Sequence, residues 1–537
     1  MLLSERLPLA ASLYPEEPAL LRHGKVMNYR EVHQNAEQVG QVLYAEGVRP
    51  GDRIALLGTP DPQLVIALYA AVGIGAVPLV PSPLLTAPEL AAILKDAEPK
   101  IVIHDRRYAD AAKSAAALLA NPPRFITAEE GAVAVFADSL NESSIETSSV
   151  STCGRSEDDV AVLVYTGGTT GRPKGVMHSH RGIAAWNQVT PSAGFGYDIG
   201  RRVLVLNISH LVGQFQIWAT MAAGGCLIFL DEYPANVHRI LEAVERDQIT
   251  HLSTVGQLLR DLNREVSATD RDRRSLKVIG CGGSIIAPET LRDSVAKFPG
   301  ALMVNNYSQA ECGMSISRLF PAQHLHDPIR LQSVGRPADL GLQGEQAFEV
   351  RIVNEHGREA QVNEPGEIVV RGAQTMIGYW RQPEATREAM IDGWLRTGDL
   401  GYVDEGGYLY VLDRLKDMVI VGGSNVYSAE VEQAILAHPQ VADVAVVGIP
   451  LPLEGEALVA CVVLQKKRDS LSLEQLHAFC EKSLARHKWP AHLIILDTLP
   501  RTIVDKVDKK RLRELISRSI STPEIEPTSF SSKVDLH

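Results

Sequence analysis

The sequence predicts an α/β protein: a large N-terminal domain of parallel-type α/β sheets plus a small antiparallel or β-barrel-like subdomain, followed by a small α+β C-terminal domain. Three observations predict it. Helix-period and strand-like runs alternate between residues 30 and 165 and again around Val203 to Leu230. The texture then changes to short β-rich segments between Gly and Pro turns from about Val334 to Val411, and a fresh α/β pattern opens after Asp413. In a chain of 537 residues each unit has enough length to bury its own core without disulfide or metal staples.

The elements follow in order. Tyr29 to Glu46 has helical apolar spacing, Arg53 to Gly58 is a short strand after the turn Pro50-Gly51-Asp52, and Leu64 to Val72 is again helical. Leu64 to Leu85 carries no charge and is long enough to span a bilayer, but Gly73, Gly75, Pro78, Pro81 and Pro83 interrupt it. It is therefore read as a buried helix, a tight turn and a strand, with no transmembrane segment. A helix at Ala87 to Asp96 precedes a strand at Ile101 to His104, and the alternation recurs between Val203 and Leu230. Strands separated by helices imply parallel sheets covered on both faces. Phe348 to Val353, Gly366 to Val370 and Tyr408 to Val411 are the β-rich segments. Beyond them come a helix at Ser428 to Leu436, strands at Val441 to Gly448 and Ala457 to Leu464, and a helix at Leu473 to Leu484. The predicted division is residues 1–413 (β-rich part about 334–411), a hinge at 414–416, a C-terminal domain at 417–518 and a Ser-, Thr- and Pro-containing tail at 519–537.

Charge and composition exclude several classes. The chain has 53 Lys and Arg against 65 Asp and Glu, a net charge of −12, with no basic run to track a phosphate backbone, so nucleic acid is not an expected partner. Six cysteines show no C-x-x-C pair, which predicts a reducing, cytoplasmic compartment and no zinc site. Glu5 and Arg6 fall inside the would-be apolar stretch of the N-terminus, so it reads poorly as an export signal. The His178-x-His180 and His324-x-His326 pairs have no further ligands close by in sequence.

The chemistry concentrates first in YTGGTTGRPKGV, residues 165–176. Glycines let backbone N–H groups close around phosphate oxygens, threonine hydroxyls add neutral donors, and Lys174 supplies charge. The spacing is not that of the nucleotide P-loop, because Pro173 precedes Lys174 and Gly175 follows it. This segment resembles the phosphate loop of the adenylate-forming superfamily of acyl-CoA synthetases, adenylation domains and firefly-type luciferases. NNYSQAE (305–311), GEIVVRGAQTMIGYW (366–380), GWLRTGDLGYVDEGGYLYVLDRLKD (393–417), GGSNVYSAEVE (422–432) and PRTIVDKVDK (500–509) resemble its later motifs in the same order.

The resemblance implies an AMP-forming acid–thiol ligase with ATP, Mg²⁺ and coenzyme A, or a carrier-protein phosphopantetheine, as its partners. A carboxylate would attack the α-phosphate of ATP, and a thiol would then capture the acyl-adenylate. It assigns Thr166, Gly167, Gly168, Thr169, Thr170, Gly171, Lys174, Asn306, Tyr307, Ser308, Asp399 and Arg414 to ATP or AMP, with Tyr307 against adenine and Asp399 and Arg414 on the ribose. Glu311 would hold Mg²⁺, and Lys506 would bridge the substrate carboxylate and the α-phosphate. His210, Phe215, Gly282 and Met314 would border the acyl pocket, with His210 and Thr170 joining Lys506 and Glu311 as catalytic candidates. Gly422 and Gly423 would line a pantetheine tunnel, and Lys416 would be the hinge of a mobile C-terminal domain. Departures from the pattern are Ser308 for a glycine, Ala310 for a threonine and Asp505 for the glycine before the lysine.

Between Val203 and Leu230 the only acid or base is His210, so the substrate expected is a non-amino aryl or aliphatic carboxylic acid: a free ammonium there would have no partner. Two further readings stay open: an enzyme loading an acyl carrier protein, and an inactive nucleotide-binding scaffold.

Overall fold

The computed structural model describes residues 1–128, 155–166, 173–188, 200–337, 348–422, 424–451, 455–466, 470–502 and 506–520. They form two compact units. The larger holds Met1–Val350, Val369–Thr397 and Gly407–Leu409; the smaller holds Arg351–Ile368, Gly398–Gly406 and Tyr410 onward.

The larger unit contains two sheets. One has eight strands in the order Gly313–Leu319, Leu302–Gln309, Val278–Gly282, His251–Val255, Arg202–Leu204, Cys226–Ile228, Pro18–Arg22 and Lys25–Asn28. The other has seven, in the order Gly378–Tyr379, Lys174–Ser179, Val160–Thr166, Val77–Leu79, Arg53–Leu57, Ile101–Asp105 and Arg124–Ala128. The interior strands are parallel, as the alternation with helices predicts, but both sheets finish in antiparallel pairs. Leu302–Gln309 turns back into Gly313–Leu319, and Val160–Thr166 into Lys174–Ser179, because the connections are too short for a crossover helix.

Local chemistry sets the element boundaries. The uncharged stretch Leu64 to Leu85 resolves into the helix Pro62–Gly73, a turn, and the strand Val77–Leu79. Asp61 starts that helix by accepting the Gln63 N–H at 2.8 Å, and Pro62 occupies the first turn, where no backbone donor is needed. Asn28 and Glu31 cap Tyr29–Ala45 reciprocally, each side chain accepting from the other's backbone N–H. Helix and strand side chains meet in a core that includes Leu204, Ile228, Ile240, Leu252 and Ile279. Among the described residues no helix is long and apolar enough to cross a membrane.

The β-rich stretch forms a five-stranded sheet, Glu349–Val353, Gly366–Arg371, Trp394–Val403 and Met390–Ile391 in order, with Leu409–Arg414 also on Trp394–Val403. The smaller unit has its own sheet, Ser424–Val426, Val419–Val421, Gly455–Leu464 and Val441–Leu451, with His492–Ile495 parallel to Gly455–Leu464. The helix expected to reach Leu484 ends at Cys480. Beyond it the bonds tighten to the three-residue spacing, Lys482 N–H on the Phe479 carbonyl at 3.3 Å and Ser483 N–H on the Cys480 carbonyl at 3.0 Å, and the Trp489 indole donates to the Leu484 carbonyl at 3.0 Å.

Candidate active site

Most candidate residues of the larger unit sit at or just beyond the carboxyl ends of the strands, where open α/β sheets bind their ligands. Thr166 ends its strand and pairs in register with Lys174 across the hairpin. Gly167, Gly168, Thr169, Thr170 and Gly171 lie outside the described residues; the two ends of their loop are anchored. At the entry, the Tyr165 hydroxyl donates to Asp96 Oδ2 at 2.7 Å. At the exit, Trp380 N–H donates to the Gly175 carbonyl at 2.7 Å and Gln382 Nε2 to the Pro173 carbonyl at 3.0 Å.

Lys174 and Glu311 converge on one aromatic ring. Glu311 is carried by the short 3₁₀ turn Ala310–Cys312 between the strands Leu302–Gln309 and Gly313–Leu319. The Tyr379 hydroxyl donates to Glu311 Oε1 at 3.0 Å, and the Lys174 Nζ stands 4.6 Å from the centre of the Tyr379 ring. Met376 N–H holds the Glu311 carbonyl at 2.8 Å. Burial first, and the Glu311 charge second, push the Tyr379 phenol far above its ordinary pKa, so it stays a donor. Among the described residues no cation pairs with Glu311 and no carboxylate with Lys174. Tyr379 was not singled out from the sequence; it lies inside the quoted GEIVVRGAQTMIGYW segment. That segment does not form a strand pair with itself: Gly366–Arg371 joins the five-stranded sheet, whereas Gly378–Tyr379 pairs with Val176 and Met177.

Gly282 lies in register with Asn306, and a β-carbon on it would sit 2.5 Å from the Asn306 carbonyl oxygen, so only glycine permits that approach. Asn306 Oδ1 accepts from Ser315 Oγ at 3.0 Å. Tyr307 is 8 % exposed and opposite Ser317, and the ladder slips between it and Gln309, at Ser308. His210 caps the buried helix Leu211–Ala222 at its N-terminus, its carbonyl accepting from Gln214 N–H at 3.0 Å. Phe215 and Met314 are buried.

In the smaller unit, Asp399 is buried and its Oδ1 lies 3.5 Å from Arg414 Nε. Glu367 and Leu415 fix the turn before it: Gly398 N–H donates to Glu367 Oε1 at 3.2 Å and Leu415 N–H to the Gly398 carbonyl at 2.8 Å. The Lys416 ammonium is held below the ordinary lysine range, first by desolvation and then by Arg414, although the side chain as a whole is open to solvent. Gly422 has φ +54° and nothing within 4 Å of a β-carbon, so backbone conformation rather than crowding is what favours glycine there. Gly423 is outside the described residues. Lys506 is exposed, and its carbonyl accepts from Thr502 N–H at 2.6 Å. The candidates thus form two groups, Lys174, Glu311, Asn306, Tyr307, Gly282, His210, Phe215 and Met314 in one unit, and Asp399, Arg414, Lys416, Gly422 and Lys506 in the other.

A magnesium ion fits the first group. Mg²⁺ is commonly held by one or two carboxylates together with substrate phosphates, and the half-buried Glu311 offers such a carboxylate without a competing cation. No cluster of three or more His, Cys, Asp or Glu able to cage a metal occurs among the described residues.

The chain is 32% identical over 514 residues to the 2-succinylbenzoate–CoA ligase of Bacillus velezensis, covering 95% of this chain and 98% of that protein. It is 30% identical over 506 residues to the fatty acid–[acyl-carrier-protein] ligase ScoC of Streptomyces coeruleorubidus, covering 93% of each. The o-succinylbenzoate coenzyme A synthetase of Bacillus subtilis, solved with ATP and magnesium ion, superposes with a TM-score of 0.80 at 27% identity, over 94% of this chain and 98% of that one. The family model for the AMP-binding enzyme matches residues 8–380, and that for the AMP-binding enzyme C-terminal domain matches residues 430–506. With the family model matching most of the chain and a relative 32% identical over 95% of it, this chain belongs to the AMP-binding enzyme family.

Proposed function

We propose that this enzyme is an AMP-forming carboxylic acid–CoA ligase acting on a non-amino aryl or aliphatic acid. The observation that carries the proposal is the meeting of Lys174 and Glu311 on Tyr379 at the exit of a Gly- and Thr-rich loop: one cation and one carboxylate set where a nucleoside triphosphate's phosphates would lie. The substrate carboxylate oxygen attacks the α-phosphorus, the bond to the bridging oxygen breaks, and pyrophosphate leaves with the electron pair. Little covalent help is needed; the step depends on positioning and charge neutralisation. Lys174 and the loop hold the phosphates, Asp399 and Arg414 hold the ribose, and Lys506 neutralises charge between the acid and the α-phosphate. Glu311 would hold the magnesium ion, which when bound supplies further neutralisation of the phosphates. The thiol sulfur then attacks the acyl carbon and AMP departs.

The non-amino preference is supported by the apolar, buried helix Leu211–Ala222, which carries Phe215 and neither an acid nor a base. The described cysteines Cys226, Cys281, Cys312, Cys461 and Cys480 are buried free thiols, which supports a reducing, cytoplasmic setting. A carrier-protein acceptor is favoured by the ScoC relative alone. Pyrophosphate release with ATP and Mg²⁺ across fatty, aryl and amino acids, each with and without CoA, tests the reading. Turnover on a non-amino acid that rises sharply with CoA supports it; release indifferent to CoA indicates the carrier protein, and release only with amino acids overturns the substrate class.

A further inference from the structure

The Tyr379 side chain joins two parts of the site that lie far apart in the chain. Its hydroxyl reaches Glu311 Oε1 and its ring faces the Lys174 ammonium. The tyrosine itself is fixed from several directions. Its backbone pairs with Val176 in the hairpin strand that follows the phosphate loop, its N–H donates to Thr386 Oγ1 at 2.9 Å, and its side chain is buried. Its neighbours bind the same loop: Trp380 through the Gly175 carbonyl and Gln382 through the Pro173 carbonyl. The segment 376–382 therefore touches the backbone of Glu311, the carboxylate of Glu311, the ammonium of Lys174 and the exit of the loop.

We propose that Tyr379 is a positioning residue that sets the Glu311 carboxylate for the metal and the Lys174 ammonium for the phosphates, through its hydroxyl and its ring respectively. A donor on one carboxylate oxygen fixes the plane of the group and leaves the other oxygen oriented for a cation, the usual part of a hydrogen-bond partner behind a metal ligand. A ring face beside an ammonium attracts it without neutralising it, so the lysine keeps its full charge for an anion. Phenylalanine would retain the second function and lose the first. The inference rests on the AMP-forming reading above.

The experiment is ATP binding to the full-length enzyme by isothermal titration calorimetry, in EDTA and across a Mg²⁺ series, for the wild type, Tyr379→Phe, Tyr379→Leu, and Glu311→Gln alone and combined with Tyr379→Phe. Tyr379→Phe is expected to need about tenfold more Mg²⁺ for half-maximal strengthening of ATP binding, with binding in EDTA unchanged. Tyr379→Leu is expected to weaken binding in EDTA as well, because the face beside Lys174 is gone. In the Glu311→Gln background Tyr379→Phe is expected to have no further effect on the Mg²⁺ requirement. A wild-type Mg²⁺ requirement in Tyr379→Phe overturns the hydroxyl's part in the proposal, and unchanged EDTA binding in Tyr379→Leu overturns the ring's part. If the wild type itself binds ATP no better with Mg²⁺, it is the AMP-forming reading that fails, and this inference falls with it.

Discussion

A β-carbon on Gly213 would lie 1.6 Å from the Asn207 carbonyl oxygen, closer than any rotation can relieve, because the Asn207–Ser209 turn packs on the first turn of the following helix. Gly213→Ala is expected to cost about 3 kcal/mol or more, read as a fall in the urea midpoint, or to prevent folding. Asp399 poses the opposite case, a buried carboxylate whose neighbouring guanidinium is half-exposed. If it serves the ribose, Asp399→Asn raises KM for ATP about 10- to 100-fold, the value of a charged hydrogen bond, while the thermal midpoint moves little; an unchanged KM removes Asp399 from the nucleotide site. Lys174, Glu311, Asp399 and Lys506 were nameable as candidates from the sequence because each stands at a fixed offset within a motif. Tyr379 was not: it meets Glu311 across 68 residues of chain, and only the fold brings them together.

Two histidines mark the junction of the strand Lys174–Ser179 and the helix His180–Gln188. Burial pushes the pKa of each down to about 4, and His180 Nδ1 accepts the Leu3 N–H at 3.1 Å, which requires it neutral. The folded state thus refuses protons that the unfolded chain accepts near pH 6.5. Stability is full above that value and declines as pH falls toward 4, by about 3 kcal/mol for the fully buried His178. Urea midpoints at pH 7, 6 and 5 should fall in that order, with a shallower slope in His180→Gln. In the smaller unit, Lys509 Nζ links the helix Lys509–Ile520 to the helix Ser428–Leu436, 2.7 Å from Glu432 Oε1 and 2.6 Å from Ser428 Oγ. Lys509→Met leaves the half-buried Glu432 carboxylate without its cation and is expected to cost about 2 to 3 kcal/mol, part of which Glu432→Leu in the same chain restores. Helix Ser428–Leu436 has the ends its apolar spacing predicts. The next helix gives way after Cys480 to tighter three-residue bonds at Lys482 and Ser483, a change that local periodicity does not show.

At the scale of the whole molecule the thiols give a direct test of folding. Burial raises Cys226 and Cys480 to about 11 and Cys281 and Cys461 to about 12, so neither access nor thiolate is present at neutral pH. With a thiol reagent at pH 8, at least five of the six cysteines should react only after denaturation. The α/β alternation and its replacement by β-rich segments were legible because a change of hydrophobic period is a local property. The course of the chain between units was not, since no shift in composition marks residues 351–368 or 398–406 as part of the smaller body.

That course bears on how such enzymes are recombined. The backbone passes from one unit to the other five times, at 350/351, 368/369, 397/398, 406/407 and 409/410. A chimera made by joining two homologues at a single crossover near residue 413 would therefore pair a smaller body of mixed parentage, two of its segments drawn from one parent and the remainder from the other. Exchange of the whole body requires the two inner segments to travel with it.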